Sequence, residues 1–283
     1  MLAASASLLN IPFLVLDPSP CSPAKQVDVP PPPLRHITGS FTAASDIRSL
    51  AAQVDVLTVE IEHVDADTLA EIQETTGVQV HPSPQTLRII QDKFRQKEHL
   101  RSREIPVAEY VAVEGVRGVY AAVEQLGLPL MLKSRTLAYD GRGNYVLRTA
   151  DEGAIQQALN ALRDCSLYAE KWVPFSREVA VMVVRSTGGK IVSYPVVETV
   201  HRESVCHLVF APLRAADHIV EHARKVAESA VSTFEGAGVF GVEMFLLDDG
   251  QARYSLWMNH RMTEHLTNCS RYCLRQRNRP TPA

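Results

Sequence analysis

Long apolar runs, disulfide spacing and blocks of like charge are all missing from this 283-residue chain. No stretch approaches the roughly 18–20 apolar residues of a membrane-spanning helix. Leu8 to Leu16 comes nearest, but Asn10 and Pro12 interrupt it and no basic segment precedes it. Neither a membrane anchor nor a secretory leader is therefore expected. Cysteine is sparse: Cys21, Cys165, Cys206, Cys269 and Cys273 follow no framework spacing. An odd, scattered set fits a reducing compartment, so a cytoplasmic protein is expected. The 29 Lys and Arg against 32 Asp and Glu give a net charge of −3, with no basic tract. That argues against nucleic acid or a membrane surface as a partner. The phosphate-binding pattern GxxxxGK[ST] is absent too;.

What is present is an alternation of strand and helix. Met1 to Leu9 reads as helix, Ile11 to Leu16 as a buried strand, and Pro18 to Pro33, with its prolines, as a surface loop;. Asp46 to Gln53 reads as helix and Val54 to Val59 as strand, with Glu60, Glu62 and His63 at its end. Asp65 is placed to cap a helix that Gly77 stops, and Val78 to His81 is the next strand;. This order predicts a parallel α/β unit, whose ligands sit beyond the strand carboxyl ends. Glu62 and His63 fit such a site and fit a loop cap equally well.

Ser83-Pro84 opens one helix carrying Asp92, Lys93 and Lys97, the last read as part of a solvated face;. A second unit follows, with a helix at 117–126, an apolar strand from Leu128 to Leu132, and a helix at 151–163. Strands are expected at 167–173, 178–185 and 190–198, a helix at 216–235 and a strand from Val239 to Leu247.

The most informative segment is Lys133 to Asn144, where Gly141 and Gly143 bracket Arg142. A lysine at a strand end followed by a glycine loop can offer ammonium, guanidinium and backbone N–H groups to phosphate oxygens. The competing reading is a plain β-hairpin with an Asp-Gly turn. Glu170 and Glu178, spaced on later strands, favour the nucleotide site. Glu243 lies in an apolar strand, where an unpaired carboxylate is costly, which points to a role in chemistry.

Six ordered blocks carry a resemblance: LTVEIEHVD (57–65), RIIQDKFRQKEHL (88–100), MLKSRTLAYDGRGN (131–144), YAEKWVPFSREVAVMVVR (168–185), VSYPVVETV (192–200) and FEGAGVFGVEMFLLDDG (234–250). Together they resemble the ATP-grasp 5-(carboxyamino)imidazole ribonucleotide synthases, most of all the fungal form fused to a carboxylase domain. The resemblance implies an α/β chain: an ATP-grasp fold preceded by an incomplete Rossmann-like pre-ATP-grasp domain. The division expected is 1–82, then 83–250 with a lid at about 105–173, then a divergent basic tail at 251–283.

The resemblance also implies the chemistry. The complete enzyme uses ATP, Mg²⁺ and bicarbonate to carboxylate the amine of 5-aminoimidazole ribonucleotide, and is a homodimer. It assigns ATP contacts to Lys93, Lys133, Ala138, Tyr139, Gly141, Gly143, Asn144, Glu170, Lys171, Trp172, Val173, Glu178 and His201. Tyr139, Asp140 and Arg142 match the contacts to the ribonucleotide, with Asp140 and Arg142 acting in catalysis, and Glu243 matches a magnesium ligand. Both ends depart from the family. Met1 aligns just after the family's first glycine loop, and the second metal carboxylate falls near Leu256 in unfamiliar sequence. A shortened gene or an altered reading frame is expected, and a non-catalytic nucleotide-binding remnant is the alternative reading.

Overall fold

Among the residues described, 2–29, 35–137, 143–162, 165–202, 205–247 and the backbone of 257–259, the computed structural model shows strand and helix alternating through the first third of the chain. The elements are α1 (Leu2–Leu8), β1 (Leu16–Asp17), β2 (Ile37–Thr38), α2 (Ala44–Ala51), β3 (Val56–Thr58), α3 (Ala66–Thr76) and β4 (Gln79–His81). Both strand pairs, β1 with β2 and β3 with β4, are parallel, as the alternation predicts. Asp65 caps α3 by accepting from the N–H groups of Asp67 and Thr68, and Gly77 ends it at φ +77°;. The strand expected over Ile11 to Leu16 is a correction. Only Leu16 and Asp17 form a ladder, opposite Ile37 and Thr38. The apolar faces of Ile47, Leu57, Leu69, Ile72, Val80 and Leu87 close one core.

The helix expected from Ser83 is two helices, α4 (Pro84–Gln91) and α5 (Lys93–Arg101). At the junction Asp92 takes an extended conformation, φ −106° and ψ 105°, and its carboxylate accepts from the N–H groups of Phe94 and Arg95. An Asp that captures free N–H groups stops one helix and starts another. The break re-aims α5, so that Lys93 and Lys97, four residues apart, turn inward together: they are 8% and 2% exposed;. The solvated face read for Lys97 is thereby overturned.

A four-stranded antiparallel sheet follows. Its elements are β5 (Tyr110–Val113), α6 (Gly115–Leu126), β6 (Leu130–Ser134), β7 (Asn144–Leu147), α7 (Glu152–Ala161) and β8 (Leu167–Lys171), with strand order β5-β8-β6-β7. β6 and β7 pair directly, Lys133 opposite Asn144. The glycine loop is therefore the connection of a β-hairpin after all, and hairpin and nucleotide loop are not exclusive alternatives. Leu130, Leu132, Leu147, Leu167 and Ala169 face α6 and α7 and form their own core.

The last unit contains β9 (Arg177–Arg185), β10 (Ile191–Ser193), β11 (Val197–Arg202), β12 (Val205–Phe210), α8 (Asp217–Ser232), β13 (Gly238–Leu246) and β14 (Trp257–Asn259). The single strand read over 190–198 is split into β10 and β11, both paired with β9. Pro195, lacking an N–H, falls at the gap;. β13 lies antiparallel along all of β9, from Gly238 opposite Arg185 to Leu246 opposite Arg177. Val179, Val181 and Val183 of β9 and Val242, Met244 and Leu246 of β13 pack against α8. The intervening side chains, Glu178 and Glu243 among them, face the other way. No helix of the described residues is long and apolar enough to cross a membrane.

The end of α8 docks on the start of α4. Glu235 and Thr86 exchange hydrogen bonds, Thr86 Oγ1 to the Glu235 carbonyl at 2.8 Å and Glu235 N–H to Thr86 Oγ1 at 3.0 Å. Gly236, at φ +82°, lies so close that a Cβ there would sit 2.5 Å from the Ser83 backbone nitrogen. Gly236→Ala is accordingly expected to cost about 2 kcal/mol or more, from left-handed strain and steric overlap. A lower urea midpoint at unchanged slope would show it; an unchanged midpoint would contradict this account of the junction.

Candidate nucleotide site

Strand alternation assembles the site. Leu130 and Leu132 point into the α6–α7 core, so Lys133, next in line, turns to the opposite face of the four-stranded sheet;. Leu167 and Ala169 do the same for β8 and leave Tyr168 and Glu170 on that face. Lys133 Nζ then stands 2.9 Å from Glu170 Oε2, with Lys133 5% and Glu170 3% exposed. α5 closes over this face. Phe94 meets the rings of Tyr110 and Tyr168 edge-on, and Lys97 Nζ lies 3.2 Å from Glu170 Oε1. One buried carboxylate thus takes two lysines, one on each oxygen.

α5 is fixed to the base of the glycine loop. Asp92 accepts from Arg135 through both oxygens, Nε at 3.1 Å and Nη2 at 2.6 Å, and the Lys93 N–H donates to the Arg135 carbonyl at 2.7 Å. The Arg135 guanidinium also lies 4.8 Å from the Phe94 ring centroid;. On the far side of the loop, Gly143 takes φ +79° and its carbonyl accepts the Ser134 N–H at 2.7 Å.

Electrostatically the site is a set of lysines held in a dry place. Burial pulls the Lys133 ammonium down to about 8; Glu170 opposes that, and Lys97 and Lys93 add to it;. Lys93 is lowered by burial as well, against the pull of Glu62 and Glu243. Glu62 is 3% exposed and its Oε1 stands 4.0 Å from Lys93 Nζ, so it belongs to the buried site and not to a solvent-facing loop cap.

Across from these lysines stands the inward face of the larger sheet. Glu178 of β9 forms an ion pair with His201 of β11, two residues past Thr199, which stands opposite Glu178 in the ladder;. The hydrogen bond to Glu178 raises His201, and burial works against it. Glu243 of β13 is half-buried, and its carboxyl is pushed up to about 7. Burial is the largest cause; Glu178 and Glu62 add to it, while His201 and Lys93 oppose it. A carboxylate held in this way favours a nearby cation. Among the described residues no group of three or more His, Cys, Asp or Glu could hold a metal unaided. One hard oxygen ligand shared with phosphate oxygens and water fits Mg²⁺, which seldom uses an all-protein cage.

Lys93, Lys133, Glu170, Glu178, His201 and Glu243 are thus brought to two facing surfaces. Asn144 lies opposite Lys133 in the β6–β7 ladder, and its Oδ1 is buried with no hydrogen-bond partner among the described residues. Lys171 could meet a nucleotide only through its backbone, because its side chain points away. The same alternation that buries Glu170 turns it outward, where it pairs with Glu109 at 2.7 Å. Trp172 and Val173 follow the end of β8 and are half-buried. Ala138, Tyr139, Asp140, Gly141 and Arg142, and the position near Leu256, lie outside the described residues. Lys97 was missed as a site residue. Its signal was present in the sequence, four positions after Lys93 and so on the same helical face.

Comparison with known proteins gives the family of both parts of the chain. Residues 98–259 match the ATP-grasp domain, and residues 1–91 match the ribonucleotide synthetase preATP-grasp domain. Phosphoribosylaminoimidazole carboxylase of Ogataea methanolica is 51% identical over 88% of this chain and 45% of its own length. The chain spans about half the length of the curated relatives it matches. Among solved structures, carboxyaminoimidazole ribonucleotide synthase from Aspergillus clavatus complexed with ATP is 46% identical, with a TM-score of 0.84 over 92% of this chain and 66% of that one. The N5-carboxyaminoimidazole synthase of the same organism, in complex with ADP and 5-aminoimidazole ribonucleotide, is 45% identical, with a TM-score of 0.83 over 93% and 66%.

Proposed function

The chain belongs to the ATP-grasp family, and from that premise we propose that it binds ATP between its four-stranded and six-stranded sheets and serves the ATP-dependent carboxylation of 5-aminoimidazole ribonucleotide by bicarbonate. The observation that carries the reading is the buried lysine set, Lys93 and Lys133 on one surface, facing Glu243 on the other. Two relatives, solved with ATP and with ADP and 5-aminoimidazole ribonucleotide, support the choice of ligands.

In this reading Lys133 and Lys93 neutralise phosphate oxygens as charge develops during transfer, and Asn144 and the glycine loop supply further contacts to them. Glu170 to Val173 border the adenine, partly through backbone groups. Glu178, held by His201, takes the ribose hydroxyls. Glu243 would hold Mg²⁺, which supplies charge neutralisation at the phosphates. Asp140 and Arg142, with Tyr139, would receive the ribonucleotide and the activated bicarbonate. The balance is simple: the terminal phosphoryl group passes to bicarbonate, and the amine displaces phosphate from the carboxyphosphate, leaving ADP, phosphate and a carbamate. We assign the nucleotide unit to residues 83–250, with a lid at about 105–173, after a pre-ATP-grasp unit at 1–82.

Release of ADP measured with each substrate omitted in turn tests the proposal. ADP formation that requires both the ribonucleotide and bicarbonate is expected. ATP binding with no turnover would instead mark a nucleotide-binding remnant.

A further inference from the structure

Lys97 takes no part in the reading above, yet its side chain is 3% exposed and stands 3.2 Å from Glu170 Oε1. The Tyr110 ring bounds it on another side, with its centroid 5.7 Å from Nζ. The Tyr110 hydroxyl is itself held by Glu98, one residue along α5, at 2.6 Å. Among the described residues, Glu170 is the acidic group that Lys97 pairs with, and through it Lys97 reaches the site.

We propose that Lys97 is a positioning residue of the nucleotide site: by taking one oxygen of Glu170 it limits how much of that carboxylate's charge Lys133 receives, and so keeps Lys133 electropositive toward a nucleotide phosphate. The proposal rests on the ATP reading. Its logic is that of a buried triad. A single carboxylate against a single lysine approaches a neutral pair with little field beyond it. The same carboxylate shared by two lysines leaves the three groups with two positive charges and one negative. In a water-poor site that surplus acts at full strength on an arriving anion. The geometry needed for sharing is held from outside: Asp92 caps α5 and grips Arg135, two residues beyond Lys133.

The groups facing Lys133 are Glu170 and Tyr168 on β8 and Lys93 and Lys97 on α5, with Asn144 opposite on β7. Of these, Lys97 and Lys93 lower the Lys133 ammonium, and Glu170 raises it. With the ammonium lost at about 8, ATP affinity of the intact chain should fall as pH rises through that value. Removing the charge of Lys97 removes one lowering cause, so the fall should move to higher pH.

The test is ATP affinity from pH 6.5 to 9.5 for the wild type, Lys97→Met and Lys97→Gln, with thermal unfolding of each. Expected are a wild-type break near pH 8, affinity about tenfold weaker at pH 7 in both variants, and a break moved up by about one unit. A purely structural lysine would weaken affinity and leave the break in place, which overturns the proposal. So would a wild type whose affinity is flat across this range, a result that needs no variant to fold. A folded wild type that binds no ATP at any pH overturns the nucleotide reading itself and is a different outcome from either.

Discussion

Lys133→Ala is expected to weaken ATP binding about a hundredfold or more while leaving the chain folded. Lys133 is the lysine that β6 carries toward the glycine loop, and in the proposed reading its ammonium meets the nucleotide phosphates. Breaking a buried ion pair usually costs about 3–5 kcal/mol, because a charge is left alone. Here Lys97 remains 3.2 Å from Glu170, so the carboxylate keeps a partner and the stability cost is smaller. The two effects separate cleanly. Displacement of a fluorescent nucleotide reads the affinity, and thermal unfolding without nucleotide reads the fold. Affinity within a few-fold of wild type would remove Lys133 from the phosphate site.

Glu243→Gln should move stability and function in opposite directions. The Glu243 carboxyl, at about 7 in the folded chain against an ordinary 4.5, holds its proton more tightly when folded. Stability is therefore lost as pH rises from about 4.5 to about 7, and stays lost above that;. A glutamine, neutral throughout, escapes the loss. At pH 8 without metal or nucleotide, Glu243→Gln should melt a few degrees above wild type, and the gap should close toward pH 4. Its ATP affinity should lose most of the gain that Mg²⁺ gives the wild type, about tenfold. A variant no more stable than wild type at pH 8 would contradict a carboxylate whose charge the folded chain disfavours. One that keeps the full Mg²⁺ effect would contradict its place as a ligand.

The sequence was readable wherever one local rule decided the outcome. Asp65 and Gly77 bracket α3 as capping chemistry requires, and the apolar alternation of β6 and β8 turns Lys133 and Glu170 to one face. Pairing was harder. Nothing in Ile11 to Leu16 says that its ladder is two residues long, because the length depends on a partner twenty residues away. Asp92 looked like an interior helix residue and is a cap, since a side chain competing for N–H groups outweighs the helical pattern around it. Lys97 was misread because a long basic side chain gives no hydropathy signal for its direction; only its spacing of four from Lys93 put it on the face that the helix break buries;. Glu178 with His201 depended on the pairing of β11 with β9, Thr199 opposite Glu178, which no pattern in 192–201 announces.

The central claim is a folded ATP site built from Lys93, Lys133 and Glu243, and calorimetric titration of the whole chain with ATP, with and without Mg²⁺, tests it most directly. A single site per chain, tightened by Mg²⁺, is predicted. A folded chain that evolves no binding heat and gains no thermal stability from ATP under either condition would contradict it.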